Sequence, residues 1–362
     1  MLRKGTFILM KTKIQDMTSG SPGRLIILFA IPLMLGNICQ QLYTMVDTMV
    51  VGQVAGVEAL AALGAVDFLM WVVTGISTGL TQGFSIQLSQ YYGAKDFENL
   101  RKSLAHSYRL TAFIAAGVFI LSQSFASLVL TGLHTPSNII GMSLLYLRII
   151  FCGIPATAAY NMFASALRAM GNSKTPLTAM IIASVLNVSL DLLFVAGFGW
   201  GVAGAAIATV IAQSFSAVYC FLILRRIDIV HLTRADFMPA SGMNARLMKL
   251  GIPVVFQNII IGVGGLVVQY VINGYGFLFV AGFTATNKLY GLLEMAAISY
   301  GYAIVTYVGQ NLGAGKIDRI RKGVRSSMLL SLLTSLIISA AMFLFGKNIL
   351  SLFISGEPQQ TQ

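Results

Sequence analysis

Charge is scarce in this sequence. Only 10% of its 362 residues are Asp, Glu, Lys or Arg while 56% are hydrophobic, against about 25% charged in soluble domains. That balance excludes an ordinary soluble enzyme or binding module. Cysteine is scarce as well: Cys39, Cys152 and Cys220 all sit within apolar runs and without paired spacing, so neither a disulfide framework nor a cysteine metal centre is indicated. A nucleotide site is missing too. In Gly313-Ala314-Gly315-Lys316 a phosphate loop would need Gly where Gln310 stands and Ser or Thr where Ile317 stands. The Gly197–Gly201 stretch reads as a tight outer turn with no preceding strand, and no His-Glu-x-x-His, serine elbow or Cys pair occurs. Enzyme chemistry, cofactors and ATP-driven pumping are therefore not expected. No signal peptide is read, since the first apolar run is long and lacks a small-residue cleavage site.

What is present is a series of apolar runs, at 24–51, 58–92, 105–133, 137–167, 174–199, 202–225, 246–273, 280–312 and 326–349. Each is long enough for the ~20 residues that cross ~30 Å of hydrocarbon, which predicts an all-α polytopic membrane protein with about nine spans. With the N-terminus placed in the cytosol, all of the 24 Lys and Arg except Arg148, Lys288 and Lys347 fall in or beside cytosolic segments. This positive-inside pattern accounts for the net charge of +12, and no nucleic-acid partner is expected. It predicts a multi-pass protein of the cytoplasmic membrane, with lipid as its surroundings and no obligate protein partner evident.

The membrane unit occurs twice. Gln90-Tyr91-Tyr92-Gly93-Ala94 with Arg101-Lys102 recurs 220 positions later as Gln310-Asn311-Leu312-Gly313-Ala314 with Arg321-Lys322, and Ile31-Pro32 recurs as Ile252-Pro253. Parallel repeats of this kind build two lobes around a central cavity and suit alternating access. The expected organisation is a cytosolic segment 1–23, a first lobe 24–226 (spans one to six), a cytosolic linker 227–243 and a partial second lobe 244–362 (spans seven to nine). By the same register copy two halts where a tenth helix would begin. The expectation is a fragment of a twelve-helix protein, with roughly 90 residues absent from its second half.

Ionisable groups inside spans are costly and mark pathways. Here they are Asp47, Asp67, Arg148, Asp191, Lys288 and Glu294, with Asn187 one helical turn from Asp191. Depth along the helices, at 1.5 Å per residue, gathers Asp47, Tyr146, Asn187, Asp191 and Thr209 in the outer half of the first copy. Taken alone, Tyr146 and Thr209 would be ordinary span residues bonded to backbone, and Asp67 and Glu58 would suit the headgroup region. Asp47 and Asp191, however, lack a cation in the outer halves of their own helices and need a proton or a bound cation. Gln40, Gln41, Tyr43, Arg148, Gln257, Asn258, Lys288 and Glu294 are candidates for cavity or substrate contact, with Lys288 and Glu294 a possible polar facet of the second copy.

Several stretches together resemble the multidrug and toxic compound extrusion (MATE) family. They are Ile31-Pro32 through Val46-Asp47-Thr48-Met49-Val50-Val51-Gly52, Ala59-Leu60-Ala61-Ala62-Leu63-Gly64, Gln90–Ala94, Leu167–Pro176, and Asn187-Val188-Ser189-Leu190-Asp191. The resemblance implies an antiporter that expels amphipathic or cationic compounds in exchange for Na+ or H+. Asp47, Asn187, Asp191, Tyr146 and Thr209 would form the ion or proton site, with Na+ possible at Asp47, Asn187, Asp191 and Thr209. Some branches place a Glu in the middle of span seven, where this chain offers only Gln257 and Asn258, so coupling is expected to rest on the first copy. The alternatives are a lipid-linked saccharide flippase of the wider superfamily, which would want more cavity cations, and a non-transporting fragment.

Overall fold

The computed structural model describes the backbone of residues 14–133, 135–273 and 277–351. Side chains are described for the same residues except at positions 57, 68, 266, 269, 270, 272, 273, 277–290, 292, 293 and 345–351. Among the described residues the regular structure is helical: α1 (Pro22–Val54), α2 (Val57–Gly64), α3 (Asp67–Gly93), α4 (Phe97–Gly132), α5 (Ile140–Cys152), α6 (Ile154–Ala169), α7 (Lys174–Asp191), α8 (Gly201–Leu224), α9 (Met243–Asn273), α10 (Phe277–Gly313) and α11 (Ile317–Ser351). A π-helical turn, Leu192–Gly197, continues α7, and two short 3-10 turns lie between α8 and α9. Among the described residues seven helical stretches are long and apolar enough to cross a bilayer, or eight if α5 and α6 count as one span.

The helices follow the apolar runs, with two breaks that hydropathy does not register. Run two is divided at residues 65–66 into α2 and α3, and run four is bent by 46° between α5 and α6. At the second break Pro155 occupies the first turn of α6, where it has no helical hydrogen bond to lose, and Gly153 lies against Val210 of α8. α1 enters through Pro22 at its first turn and keeps Pro32 inside. α4 is capped by Asp96, whose carboxylate accepts from the Asn99 N–H at 3.1 Å.

Copy one wraps α1 against α7, α7 against α8, and α6 against α3, α4 and α8. The two copies meet through α3 with α9 and α10, and through α1 with α10 and α11. At this divide the repeated motif has a structural purpose. A Cβ at Gly93 would run into the backbone of Gln310, and a Cβ at Gly313 into the backbone of Gln90. The two motifs thus cross backbone to backbone about a pseudo-twofold axis, an approach only glycine permits. Both helices end alike: Ala94, Lys95 and Asp96 donate to the carbonyls of Gln90, Tyr92 and Tyr91, as Ala314, Gly315 and Lys316 donate to those of Gln310, Leu312 and Asn311. The left-handed residue of each turn is Lys95 (φ 58°) in one copy and Gly315 (φ 70°) in the other. Higher in the divide, Gly83 packs on Gly251. Their equivalents in the other copy, Ala303 and Ala30, join one buried cluster with Phe29, Tyr300 and Tyr307.

Candidate functional site

A cavity of about 570 Å³ opens among the helices of copy one, and among the described residues copy two adds only Tyr302 to its lining. α1 supplies Asn37, Gln40, Gln41, Thr44 and Asp47 to its lining, polar residues at the three- and four-residue spacing of one helix face. Asp67, Trp71, Thr74 and Thr78 come from α3, Tyr146 from α5, Asn161 and Arg168 from α6, Thr209 and Gln213 from α8, and Tyr302 from α10. The cavity therefore reaches from the N-terminus of α3 down to the C-terminal end of α6. There the Arg168 guanidinium lies over the Tyr302 ring, 4.7 Å from its centroid, and donates to Ser165 Oγ at 2.8 Å. This cation–π pair joins the copies as a floor. Below it Met17, Tyr307, Gln310 and Asn311 are fully buried.

Just behind the wall stand Asn187 and Asp191, both without exposed surface. They are one turn apart on α7, and Asp191 sits where α-helix passes into the π turn, a widening that often accompanies function. Asn187 Nδ2 donates to Thr209 Oγ1 at 3.4 Å. Gln213, one turn beyond Thr209, donates to the Tyr43 hydroxyl at 3.4 Å. Asp191 lies within electrostatic range of Asp47, and Tyr146 within range of Asp47, Asp67, Tyr43 and Asp191. What these groups share is unused acceptors. Asp47 Oδ1, Asn187 Oδ1, both carboxylate oxygens of Asp191 and Gln213 Oε1 are buried without a hydrogen-bond partner. Unsatisfied buried acceptors are costly, and a set of them calls for protons or a hard cation, which takes oxygen ligands.

The five residues singled out by depth in the sequence thus occur together: Asp47, Tyr146 and Thr209 in the cavity lining, Asn187 and Asp191 directly behind it. Gln40, Gln41 and Tyr43 also line the cavity. Others expected there lie elsewhere. Arg148 is exposed on α5 and outside the lining, because two residues from Tyr146 a helix has turned to its opposite side. Gln257 and Glu294 are exposed outside the lining, and Asn258 is turned into the divide, donating to the Gly75 carbonyl at 3.1 Å. The side chain of Lys288 falls outside the described residues. Sequence reasoning missed Gln213, although its four-residue spacing from Thr209 was available, and it missed Arg168 and Tyr302, which it assigned to the cytosolic charge belt or did not consider.

A two-copy helical membrane bundle whose first copy encloses a polar cavity edged by the second is a secondary-transporter architecture. The MatE family model matches residues 32–193 and 253–358, and the chain belongs to that family of transporters. It is 32% identical over 343 residues to the probable multidrug resistance protein YpnP of Bacillus subtilis, covering 95% of this chain and 77% of the relative. It is 26% identical over 341 residues to the probable multidrug resistance protein NorM of Thermotoga maritima, covering 92% and 72%. Among solved structures, a MOP superfamily transporter from Pyrococcus furiosus shares the fold with a TM-score of 0.90 at 23% identity, over 97% of this chain and 78% of that one.

Proposed function

We propose that this protein exports amphipathic, cationic organic compounds across the cytoplasmic membrane, with its N-terminus in the cytosol, in exchange for H+ or Na+. The observation that carries the reading is the cluster of unpartnered buried oxygens on Asp47, Asn187, Asp191 and Gln213 beside a cavity that could hold a drug-sized molecule. When the carboxylates take up protons or a cation, their desolvation is offset and the helices that carry them can adopt a different packing. When the ion leaves, the cavity regains negative charge and favours a cationic substrate. Binding of ion and substrate is thereby mutually exclusive, which is the requirement of exchange.

Assignment of 24–226 and 244–362 to two lobes joined by 227–243 belongs to this reading, as does coupling through the first lobe. Multidrug relatives favour the substrate class. A saccharide-lipid flippase is disfavoured by the lining, where Asp47 and Asp67 stand against Arg168 as the described cation. The test is export of a fluorescent organic cation from proteoliposomes under an imposed pH or Na+ gradient. Export driven by one gradient and lost in Asp191→Asn supports the proposal. Export that needs neither gradient overturns it.

A further inference from the structure

Two short segments on the cytosolic side repeat one another. Asp16 recurs as Asp236, Ser19-Gly20 as Ser241-Gly242 and Arg24-Leu25 as Arg246-Leu247. Gly20 and Gly242 turn through φ +91° and +72°, conformations that glycine adopts at little cost, and each turn feeds the first helix of its copy, α1 or α9. Both aspartates shape the backbone beside them. Asp16 accepts from the Thr18 N–H at 2.7 Å and Ser19 Oγ at 3.2 Å, and Asp236 from the Thr233 N–H at 2.7 Å and Oγ1 at 2.8 Å.

Each segment is seated on the other copy. The segment ahead of α1 lies on α10 and α11: the Met17 N–H donates to Gln310 Oε1 at 3.0 Å, and the Met17 carbonyl accepts from Asn311 Nδ2 at 2.9 Å. Lys316 Nζ donates to the Thr18 carbonyl at 2.8 Å, and Arg319 to the Gly20 carbonyl at 2.9 Å. Gln310 also donates across the divide to the Ala169 carbonyl at 2.8 Å. The segment ahead of α9 lies on α4 of copy one. There the His106 ring contacts Asn244 Oδ1 at 2.7 Å and the Met238 carbonyl at 3.1 Å, Arg109 donates to the Phe237 carbonyl at 2.9 Å, and Arg101 stands 3.7 Å from Asp236. In both seats side chains of one copy grip backbone carbonyls of the other. Such contacts need close, fixed geometry and cannot persist once the copies part at this end.

We infer that these segments are paired cytosolic latches that hold the transporter open to the outside, and that each must leave its seat on the opposite copy before the cavity can open inward. This rests on the transport reading and orientation given above. Arg319 and Gln310 are positioning residues of the first latch, and His106 of the second. Loosening either seat lowers the free energy of the inward-open state relative to the outward-open one, so its population rises at the expense of the other.

Side-specific labelling tests this. Thr157→Cys places a thiol in the cavity lining once Cys39, Cys152 and Cys220 are replaced by Ala, and an impermeant maleimide is applied from either face of oriented vesicles. The starting protein should label from the outer face. Arg319→Gln, Gln310→Ala and His106→Ala should each raise labelling from the cytosolic face by about fivefold or more and lower it from the outer face. Arg321→Gln, an exposed neighbour on α11, should change neither. Labelling that rises from both faces would show general loosening and overturn the proposal, as would unchanged labelling in all three variants. Labelling of the starting protein from the face that bears the N-terminus would overturn it too, whereas labelling from the cytosolic face with the N-terminus found on the outer face would overturn the orientation alone, a separate failure.

Discussion

Asn187 gives its Nδ2 hydrogen to Thr209 Oγ1 across 3.4 Å, and its Oδ1 is thereby left without a partner one helical turn from Asp191. The bond fixes the amide so that its acceptor, not its donor, belongs to the set of unsatisfied oxygens. α7 and α8 are thus locked at the level where the ion is proposed to bind.

Asn187 and Asp191 should therefore behave as one unit. Asn187→Ala and Asp191→Asn should each weaken ion binding, and the double variant should cost little more than the worse single one, because residues in one network are not additive. Isothermal titration of Na+, or proton release on substrate addition, measures it. Fully additive losses would place them in separate sites.

Asp47→Asn should leave the protein folded and reduce gradient-driven export by about tenfold or more, the factor that ~1.4 kcal/mol of lost interaction makes. The substitution keeps the shape of the side chain while removing the charge, and Asp47 is 5% exposed with Oδ1 unpartnered. Export equal to the parent's at equal expression would remove Asp47 from the coupling site.

Gly93→Ala and Gly313→Ala should each destabilise the protein by about 1–3 kcal/mol, the usual cost of overpacking, since each new methyl meets the backbone of the opposite motif. Thermal unfolding in detergent reads the effect. Gly117→Ala, where nothing lies within 4 Å of the added carbon, is the control and should be neutral or slightly stabilising in its helix.

Asp16 gives the first latch a defined pH response. Partial burial pushes its carboxyl upward, but hydrogen bonds from Thr18 and Ser19 and the nearby Lys316 charge outweigh that and hold it below the ordinary carboxylate value. A depressed acid contributes its stabilisation above the ordinary value and loses it as pH falls through the depressed one. Cavity labelling from the cytosolic face should accordingly not respond to Asp16 protonation between about pH 5 and 8, and Asp16→Asn should raise it throughout that range. A pH-dependent rise abolished by Asp16→Asn would contradict the assignment.

The spans and the repeat were legible because lipid forces long unbroken apolar runs and because the Gln–Gly motif makes the close crossing of α3 and α10. The carboxylates were legible because charge in a span is rare. Neutral amides carry no such flag, and Gln213 passed unread. Arg168 was absorbed into the positive-inside belt although it floors the cavity, and the α5–α6 bend leaves hydropathy unchanged. The latches escaped notice because the spacing between copies slips from 220 at Asp16 and Asp236 to 222 at Gly20 and Gly242.

The crossing of Gly93 over Gln310 and of Gly313 over Gln90 also limits how the chain can diversify. Neither half owns its own motif, since the tolerance for a side chain at one glycine is set by the path of the other half's backbone. Hybrids that take each half from a different parent should assemble only when both bring a glycine to the crossing, however well the rest of each half is matched. Drift at one site is thereby policed by the other.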